Sequence, residues 1–278
     1  MISFQIFIQE KDALEVFETF SVLVVGLIIG SFLNMLIYRL PLDISLLNPK
    51  RSKCTKCHHT IKFYENIPVV SYMLLRGKCS ACKSKISIVY PLVEILTAII
   101  TFLLYKKLGL NLEFYCLSIV FYFLILLSFI DFEYKAVPHS LLVFVSFITL
   151  LYLFLFKVEN IATYFIFAGG IVTIELFVTY YIQNIKSVLL KDEALQNQKA
   201  LGEGDIPIVA LIGGILGLKF GLVAIFLSAI LAIIPSILNS LTKKEIETPF
   251  IPYLSAALFI TYIFENNIAY ILEKGQIG

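Results

Sequence analysis

Charged residues are scarce in this chain. Only 15% of its 278 residues are Asp, Glu, Lys or Arg, whereas 59% are hydrophobic. A soluble globular protein carries about 25% charged residues. This shortage excludes a soluble globular protein and predicts an integral membrane protein whose partner is the lipid bilayer. The net charge of +2 gives no indication of nucleic-acid binding.

Tryptophan is absent altogether, while the chain has 15 tyrosines. Tryptophan and tyrosine are the residues that form aromatic belts at the two surfaces of a membrane. Tyrosine must therefore form any such belt here.

The chain contains long runs of apolar residues. A membrane-spanning helix needs about 20 apolar residues. Eight runs approach this length, so the sequence predicts an all-α polytopic fold with about eight transmembrane helices. The pair within 206–238 can form a helical hairpin hinged around Gly217–Gly221. The eight predicted spans are 16–38, 90–105, 114–131, 139–156, 161–182, 206–218, 220–238 and 251–272.

Basic residues predict the orientation of the spans. The loop 39–89 holds ten Lys or Arg residues and only two acidic ones, and such loops remain in the cytoplasm. Alternating the spans from there places the segment 183–204 on the same side. Asp131, at the end of one span, and Asp205, at the start of another, then both face the cytoplasm.

Four cysteines in the loop 39–89 form two Cys-x-x-Cys pairs, with 21 residues between the pairs: Cys54, Cys57, Cys79 and Cys82. Two such pairs supply the four thiolates of a tetrahedral structural zinc site. A disulfide pair is the alternative, but the cytosol is reducing. His58 and His59 can substitute as ligands. The sequence therefore predicts a small zinc-ribbon-like domain that is stabilised by zinc, since a loop of about 50 residues has too small a core to fold well alone.

Asp131 and Asp205 stand out because carboxylates at the edge of a bilayer are unfavourable without a role or a partner. Asp205 follows Gly202 and Gly204, which remove side chains where an extended peptide would approach the backbone. Two neighbouring carboxyl groups can share one proton, which is the arrangement in aspartic proteases. Asp131 alone is equally consistent with a solvated helix end beside Glu133.

Three other polar residues lie within the apolar runs. Asn34 is expected to tie helices together, and Glu94 to pair with a basic residue of the cytoplasmic loop. Glu175 lies in the middle of a span and has no obvious partner in the sequence.

Six motifs in order along the chain resemble those of the bacterial type IV prepilin peptidases, which are bifunctional leader peptidases and N-methyltransferases. The motifs are Gly26-Leu-Ile-Ile-Gly-Ser-Phe-Leu-Asn34 with Tyr38-Arg-Leu-Pro41, Tyr64-Glu-Asn-Ile-Pro68, Leu75-Arg-Gly-Lys-Cys79, Tyr90-Pro-Leu-Val-Glu94, Ile130-Asp131 with Pro138, and Gly202-Glu-Gly-Asp205.

The resemblance implies that Asp131 and Asp205 are the catalytic pair of an aspartic protease. It implies a multi-pass protein of the bacterial inner (cytoplasmic) membrane with its active site facing the cytoplasm. It implies cleavage of the basic leader of prepilin or pseudopilin precursors, followed by methylation of the new N-terminus with S-adenosylmethionine. The implied organisation is a first transmembrane segment at 1–38, a four-Cys domain at 39–89 and a membrane peptidase domain at 90–278.

The residues for methyl transfer are harder to identify, because the sequence has no glycine-rich nucleotide loop. The candidates lie in the cytoplasmic loop: Gly77, Lys78, Glu65 and Asn66.

The chain departs from the family pattern at two positions. His139 follows Pro138 where the family usually has an acid, and this removes a rival to Asp131. Ile206-Pro207-Ile208 follows Asp205 where the family has a basic residue.

Two other functions fit the sequence. One is a related Gly-x-Gly-Asp intramembrane peptidase without methyltransferase activity, although such an enzyme would not need the four-Cys loop. The other is a zinc-clipped membrane scaffold or a transporter, with Glu175 on an ion path.

Overall fold

In a computed structural model of the chain, the described residues are 2–47, 51–190, 202, 204–241 and 249–275. They are mostly helical, and β-pairing within them is limited to two single bridges, Lys53–Thr60 and Lys78–Lys85. The chain divides into two compact units, Met1–Leu126 and Leu127–Gly278. The predicted cytoplasmic segment 183–204 lies outside the described residues at 191–201 and at Glu203, and so do residues 48–50 of the loop 39–89.

Ten α-helices are present in the described residues. They are α1 Ile2–Arg39, α2 Val70–Leu74, α3 Val89–Leu108, α4 Leu112–Tyr134, α5 His139–Phe156, α6 Ile161–Tyr180, α7 Ser187–Leu190, α8 Asp205–Leu241, α9 Ile251–Ile263 and α10 Glu265–Gly275. Short 3₁₀ helices at Phe63–Asn66 and Val158–Asn160 and a π-helical stretch at Tyr181–Lys186 complete the helical structure.

Six helical segments in the described part of the chain are long and apolar enough to cross a membrane, or seven if the bent pair α9 and α10 counts as one span. The all-α membrane fold is therefore confirmed. The sequence predicts about eight spans, and the difference lies in α8, which this count takes as a single span.

Gly217 reverses the chain inside α8. Its φ of 72° and ψ of −176° are not helical. A Cβ atom built on Gly221 would lie 3.5 Å from the Cα of Gly213, whereas residues eight apart in a continuous helix are separated by about 12 Å. The two arms of α8 therefore pack against each other. This confirms the hairpin that the sequence predicts around Gly217–Gly221.

The hairpin packs closely on α6 because glycines line its contact face. A Cβ on Gly213 would lie 2.4 Å from Phe167 Cγ, and one on Gly221 would lie 2.7 Å from Phe167 Cζ. At the turn, Lys157 Nζ donates a hydrogen bond to the carbonyl of Ile215 at 3.0 Å. This bond satisfies a carbonyl group at the end of the first arm, which would otherwise lack a helical partner.

The first unit is organised around the packing of α1 on α3. A Cβ on Gly26 would lie 2.6 Å from the Cα of Ala98, and one on Gly30 would lie 2.6 Å from the Cα of Glu94. Small residues four positions apart let two membrane helices approach this closely. Asn34 strengthens the contact because its side-chain amide donates to the carbonyl of Tyr90 at 2.9 Å, which is the tie between helices expected from the sequence.

Candidate functional sites: an aspartate pair and a four-cysteine cluster

Asp131 lies at the C-terminal end of α4, just before the helix stops. The helix ends at Tyr134, and the next residue, Lys135, has a positive φ of 53° and donates its backbone N–H to the Asp131 carbonyl at 2.9 Å. The side chain of Asp131 is only 9% exposed. Its Oδ2 accepts a hydrogen bond from the backbone N–H of Ile251, the first residue of α9, at 3.2 Å.

Asp205 is the first residue of α8 and is 8% exposed. Its backbone N–H donates to the Gly202 carbonyl at 3.0 Å, so the two glycines are folded back over the start of the helix. A Cβ on Gly202 would lie 3.3 Å from Asp205 Oδ2. Any side chain at position 202 would therefore crowd the carboxyl group.

The ends of four helices meet around Asp131 and Asp205 in the second unit. A Cβ on Gly204 would lie 3.3 Å from Ile251 Cδ1 and 3.7 Å from Leu142 Cδ1, so the starts of α5, α8 and α9 meet there with the end of α4. Ile251 connects the two acids, because its backbone N–H bonds Asp131 and its side chain lies beside Gly204, the residue before Asp205. The structure thus brings together the two aspartates that the sequence singles out, and two neighbouring carboxyl groups can share a proton.

Glu133 and Glu175, two other acids in the described part of the second unit, do not join this pair. Glu133 is exposed, as is His139 at the start of α5. Glu175 is half-buried in α6, and within the described residues it has no hydrogen bond or ion pair.

Ile251 is a residue of this site that sequence reasoning misses. Its contribution is a backbone N–H, which carries no side-chain signature. The available signal is Pro252, since proline favours the first turn of a helix, and the first N–H groups of a helix have no intrahelical partner.

The four cysteines of the loop form two matching turns in the first unit. The backbone N–H of Cys54 donates to the carbonyl of His59 at 2.9 Å, and that of Cys79 donates to the carbonyl of Ser84 at 2.8 Å. The residue after each second cysteine, His58 in one turn and Lys83 in the other, has a positive φ of 57° and 59° respectively. The two Cys-x-x-Cys pairs therefore adopt the same local structure.

The geometry of the cluster fits a metal ion. All four sulfur atoms lie within 4.8 Å of one another, with 3.9 Å between Cys54 and Cys82 and 4.0 Å between Cys57 and Cys79. Four sulfurs at 2.3 Å from a tetrahedral zinc ion are about 3.8 Å apart, whereas a disulfide needs about 2.05 Å. The cysteines are free thiols, so the cluster has the dimensions of a metal site.

Hydrogen bonds around the cluster favour thiolates at two of its members. The pKa of the Cys54 thiol is lowered to about 6, chiefly by hydrogen bonds from the backbone N–H groups of Cys57 and Lys56. The pKa of Cys82 is also lowered, first by the Ser84 hydroxyl group at 3.1 Å. The thiolate is the form that binds metal.

The candidate methyl-transfer residues lie around the same loop. Gly77 has a φ of +65°, and a Cβ there would lie 3.0 Å from the Tyr72 hydroxyl. The neighbouring Lys78 pairs its backbone with Lys85. On the other side of α2, Glu65 Oε2 accepts the backbone N–H of Lys62 at 2.9 Å, and this bond is the main cause that lowers the Glu65 pKa. Asn66 Nδ2 donates to Ser31 Oγ at 3.5 Å.

Glu94 has a different partner from the one expected. Its Oε2 accepts the backbone N–H of Val69 at 2.7 Å, so it holds the backbone of the loop rather than a basic side chain. Val69 has a positive φ of 60°, which is rare for a β-branched residue. Strain of this kind persists only where surrounding contacts impose it.

Two family descriptions match the chain. Residues 24–108 match the bacterial peptidase A24 N-terminal domain, and residues 118–237 match the type IV leader peptidase family. The first covers the four-cysteine loop and its flanking helices, and the second covers both aspartates. No solved structure matches the chain.

Curated relatives match along most of the chain. A prepilin leader peptidase/N-methyltransferase of Neisseria gonorrhoeae is 30% identical over 272 residues, covering 88% of this chain and 90% of the relative. One of Bacillus subtilis is 27% identical over 257 residues, covering 91% and 97%. One of Myxococcus xanthus is 42% identical over 120 residues, covering 43% and 36%.

Proposed function

The chain belongs to the type IV leader peptidase family, and on this premise we propose that it cleaves the leader peptide from prepilin or pseudopilin precursors, with Asp131 and Asp205 as its catalytic pair. One observation carries the proposal. Both aspartates are more than nine-tenths buried where helix ends meet, and Ile251 connects them, with its N–H bonded to Asp131 and its side chain beside Gly204.

The proposed chemistry is that of an aspartic protease. One carboxylate of the pair takes a proton from a water molecule, whose oxygen attacks the carbonyl carbon of the scissile peptide bond. The other carboxyl group, which is protonated, donates a hydrogen bond to the carbonyl oxygen. A proton then passes to the departing amine as the carbon–nitrogen bond breaks. The Ile251 N–H fixes the orientation of the Asp131 carboxyl group.

Gly202 and Gly204 form the substrate-backbone loop in this proposal. An extended peptide must approach the acid pair closely, and a side chain at position 202 would crowd Asp205 Oδ2. The basic leader of a prepilin would be attracted toward two acids on the cytoplasmic side. We place the protein accordingly in the bacterial inner membrane with the acid pair facing the cytoplasm.

The second proposed activity is methylation of the new N-terminus. S-adenosylmethionine would supply a methyl group to the free amine, with S-adenosylhomocysteine as the leaving group and a proton lost from the nitrogen. Its sulfonium cation suits a carboxylate and the face of an aromatic ring. The loop residues that would hold it are Glu65, Asn66, Gly77 and Lys78, with Tyr72 next to Gly77. Gly77 leaves open the space next to Tyr72 that a Cβ would fill.

A structural zinc ion at Cys54, Cys57, Cys79 and Cys82 would hold this loop in shape. The separations between the sulfur atoms support this metal. In this proposal the four-Cys domain 39–89 serves methyl transfer, segment 1–38 anchors it in the membrane, and 90–278 carries out proteolysis.

The decisive experiment incubates the purified protein in detergent with a prepilin, with and without S-adenosylmethionine. Mass spectrometry should show a product shortened by its leader, and one methyl group heavier when the methyl donor is present. A prepilin that remains intact with folded protein would refute the peptidase. Cleavage without added mass would leave a peptidase that lacks methyltransferase activity.

A further inference from the structure

The segment Phe63–Leu74, here called the interfacial segment, exposes a set of large apolar side chains between the two Cys-x-x-Cys turns. Phe63 is 77% exposed, Met73 70% and Leu74 76%, and Ile67 and Val70 are also exposed. Contiguous exposed apolar residues mark an interaction site rather than a solvated surface.

Two hydrogen bonds fix the depth of this segment relative to the membrane helices. Asn66 bonds Ser31, which lies eight residues before the end of α1 at Arg39. Val69 bonds Glu94, which lies five residues after the start of α3 at Val89. At 1.5 Å per residue, the segment lies about 12 Å inside the end of α1 and about 7.5 Å inside the start of α3.

With the ends of α1 and α3, both apolar enough to cross a membrane, taken as the membrane boundary, this depth is close to that of the surface layer of a bilayer. An amphipathic segment that lies in a membrane surface buries its apolar face about 5–10 Å into the boundary between headgroups and acyl chains. The strained backbone of Val69 is consistent with a segment that is held in place by α1 and α3 rather than by its own structure.

The charge around the interfacial segment indicates which partner its apolar surface contacts. Residues 51–88 contain eight basic side chains and a single acidic one, Glu65. Lys62 immediately precedes the segment, and Arg76 lies two residues after its end. Basic residues next to an apolar face are complementary to a surface of anionic lipids.

We propose that the interfacial segment is a membrane-surface anchor, with Phe63, Ile67, Val70, Met73 and Leu74 in contact with lipid acyl chains and the flanking Lys62 and Arg76 at anionic headgroups. The anchor holds Glu65 and Gly77 at the membrane surface. This role rests on the proposed methyl transfer, in which the new N-terminus of a membrane-anchored pilin reaches these loop residues at the membrane surface.

The absence of tryptophan makes the test direct, since one introduced tryptophan is the only indole in the protein. Full-length Leu74→Trp is placed in nanodiscs containing phosphatidylglycerol and phosphatidylcholine brominated on the acyl chains. Phe32→Trp serves as the lipid-facing reference, because Phe32 is 55% exposed on α1. Lys56→Trp, on the exposed first Cys-x-x-Cys turn, serves as the aqueous reference.

We expect Leu74→Trp to be quenched at least half as strongly as Phe32→Trp, with blue-shifted emission, while Lys56→Trp is not quenched. Replacing phosphatidylglycerol with phosphatidylcholine should weaken the quenching of Leu74→Trp, and Lys62→Gln with Arg76→Gln should remove that dependence. Quenching of Leu74→Trp no greater than that of Lys56→Trp would overturn the proposal.

A second arm separates lipid from substrate as the occupant. Emission of Leu74→Trp that shifts only when a prepilin is added, without quenching by lipid alone, would show that the surface binds the substrate helix, and the anchor would be wrong. Met73→Trp repeats the measurement at a second position of the same face. The fluorescence readout requires no enzymatic activity, so its outcome is independent of the proposed function.

Discussion

The backbone N–H of Ile251 donates a hydrogen bond to Oδ2 of Asp131 across 3.2 Å. The bond joins the last turn of α4 to the first residue of α9, which lies 120 positions further along the chain. It uses an N–H group that has no partner within α9, and it orients a buried carboxyl group that would otherwise be free to rotate. A proton acceptor at this position is therefore held in one orientation.

Replacing either aspartate by asparagine should abolish cleavage. Asp131→Asn and Asp205→Asn preserve shape but remove the groups that accept and donate the proton, so we expect hydrolysis to fall by at least about 10³-fold. Cleavage of a prepilin by purified protein measures this. Glu133→Gln and Glu175→Gln are the matched controls and should retain activity. Near-normal cleavage by a folded Asp→Asn variant would rule out the pair.

Gly202→Ala should impair cleavage without unfolding the protein. The new Cβ would lie 3.3 Å from Asp205 Oδ2, so the carboxyl group must shift by a few tenths of an ångström. A displacement of about 1 Å in a catalytic group reduces rates by about 10²-fold, so we expect a measurable loss of less than about 10²-fold. Gly170→Ala is the control, because a Cβ there has no neighbour within 4 Å. Equal rates for the two variants would show that position 202 does not approach the reacting groups.

The four-cysteine cluster should contain one zinc ion per chain. Cys54→Ser with Cys79→Ser should lose the metal, whereas Cys116→Ser should retain it, and elemental analysis of the purified proteins distinguishes the two. Lowering the pH should release zinc, because protons compete for the thiolates. Wild-type protein that contains no metal and still resists proteolysis within 51–88 would contradict the assignment.

Gly77→Ala should reduce methylation far more than cleavage. Alanine in the left-handed region is unfavourable by about 1–2 kcal/mol, and the new Cβ would also lie 3.0 Å from the Tyr72 hydroxyl. Gly109→Ala separates these effects, because Gly109 has a φ of +73° but no neighbour within 4 Å. Methylation of a pre-cleaved pilin, measured by mass, should be normal for Gly109→Ala. A similar loss in both variants would indicate general destabilisation.

The hairpin of α8 should depend on the contact between Gly221 and Phe167. A Cβ on Gly221 would lie 2.7 Å from Phe167 Cζ, and overpacking of this kind destabilises by about 1–3 kcal/mol. Gly221→Ala should therefore lower the thermal stability of the protein in detergent, and Phe167→Ala in the same chain should restore part of it. Additive effects of the two substitutions would show that the residues do not interact.

The amino-acid sequence by itself determined the class of the fold and the location of its spans. Long apolar runs leave no alternative to helices in a bilayer, because every backbone polar group in lipid must be satisfied within its own segment. The hinge around Gly217–Gly221 was also readable, since glycine, which has no Cβ, is the residue that adopts a positive φ without steric cost. The spacing of Cys54, Cys57, Cys79 and Cys82 indicated one cluster, because two Cys-x-x-Cys pairs supply the four ligands of a single metal site.

Only the tertiary structure decided which polar groups meet. The apolar runs carry no information about which helix ends adjoin, so the sequence could place Asp131 and Asp205 on one side of the membrane but could not bring their charges within reach of each other. The partners of Asp131 and Glu94 are the backbone N–H groups of Ile251 and Val69. A backbone group is identical at every residue except proline, so its role depends on the positions that packing gives to distant segments.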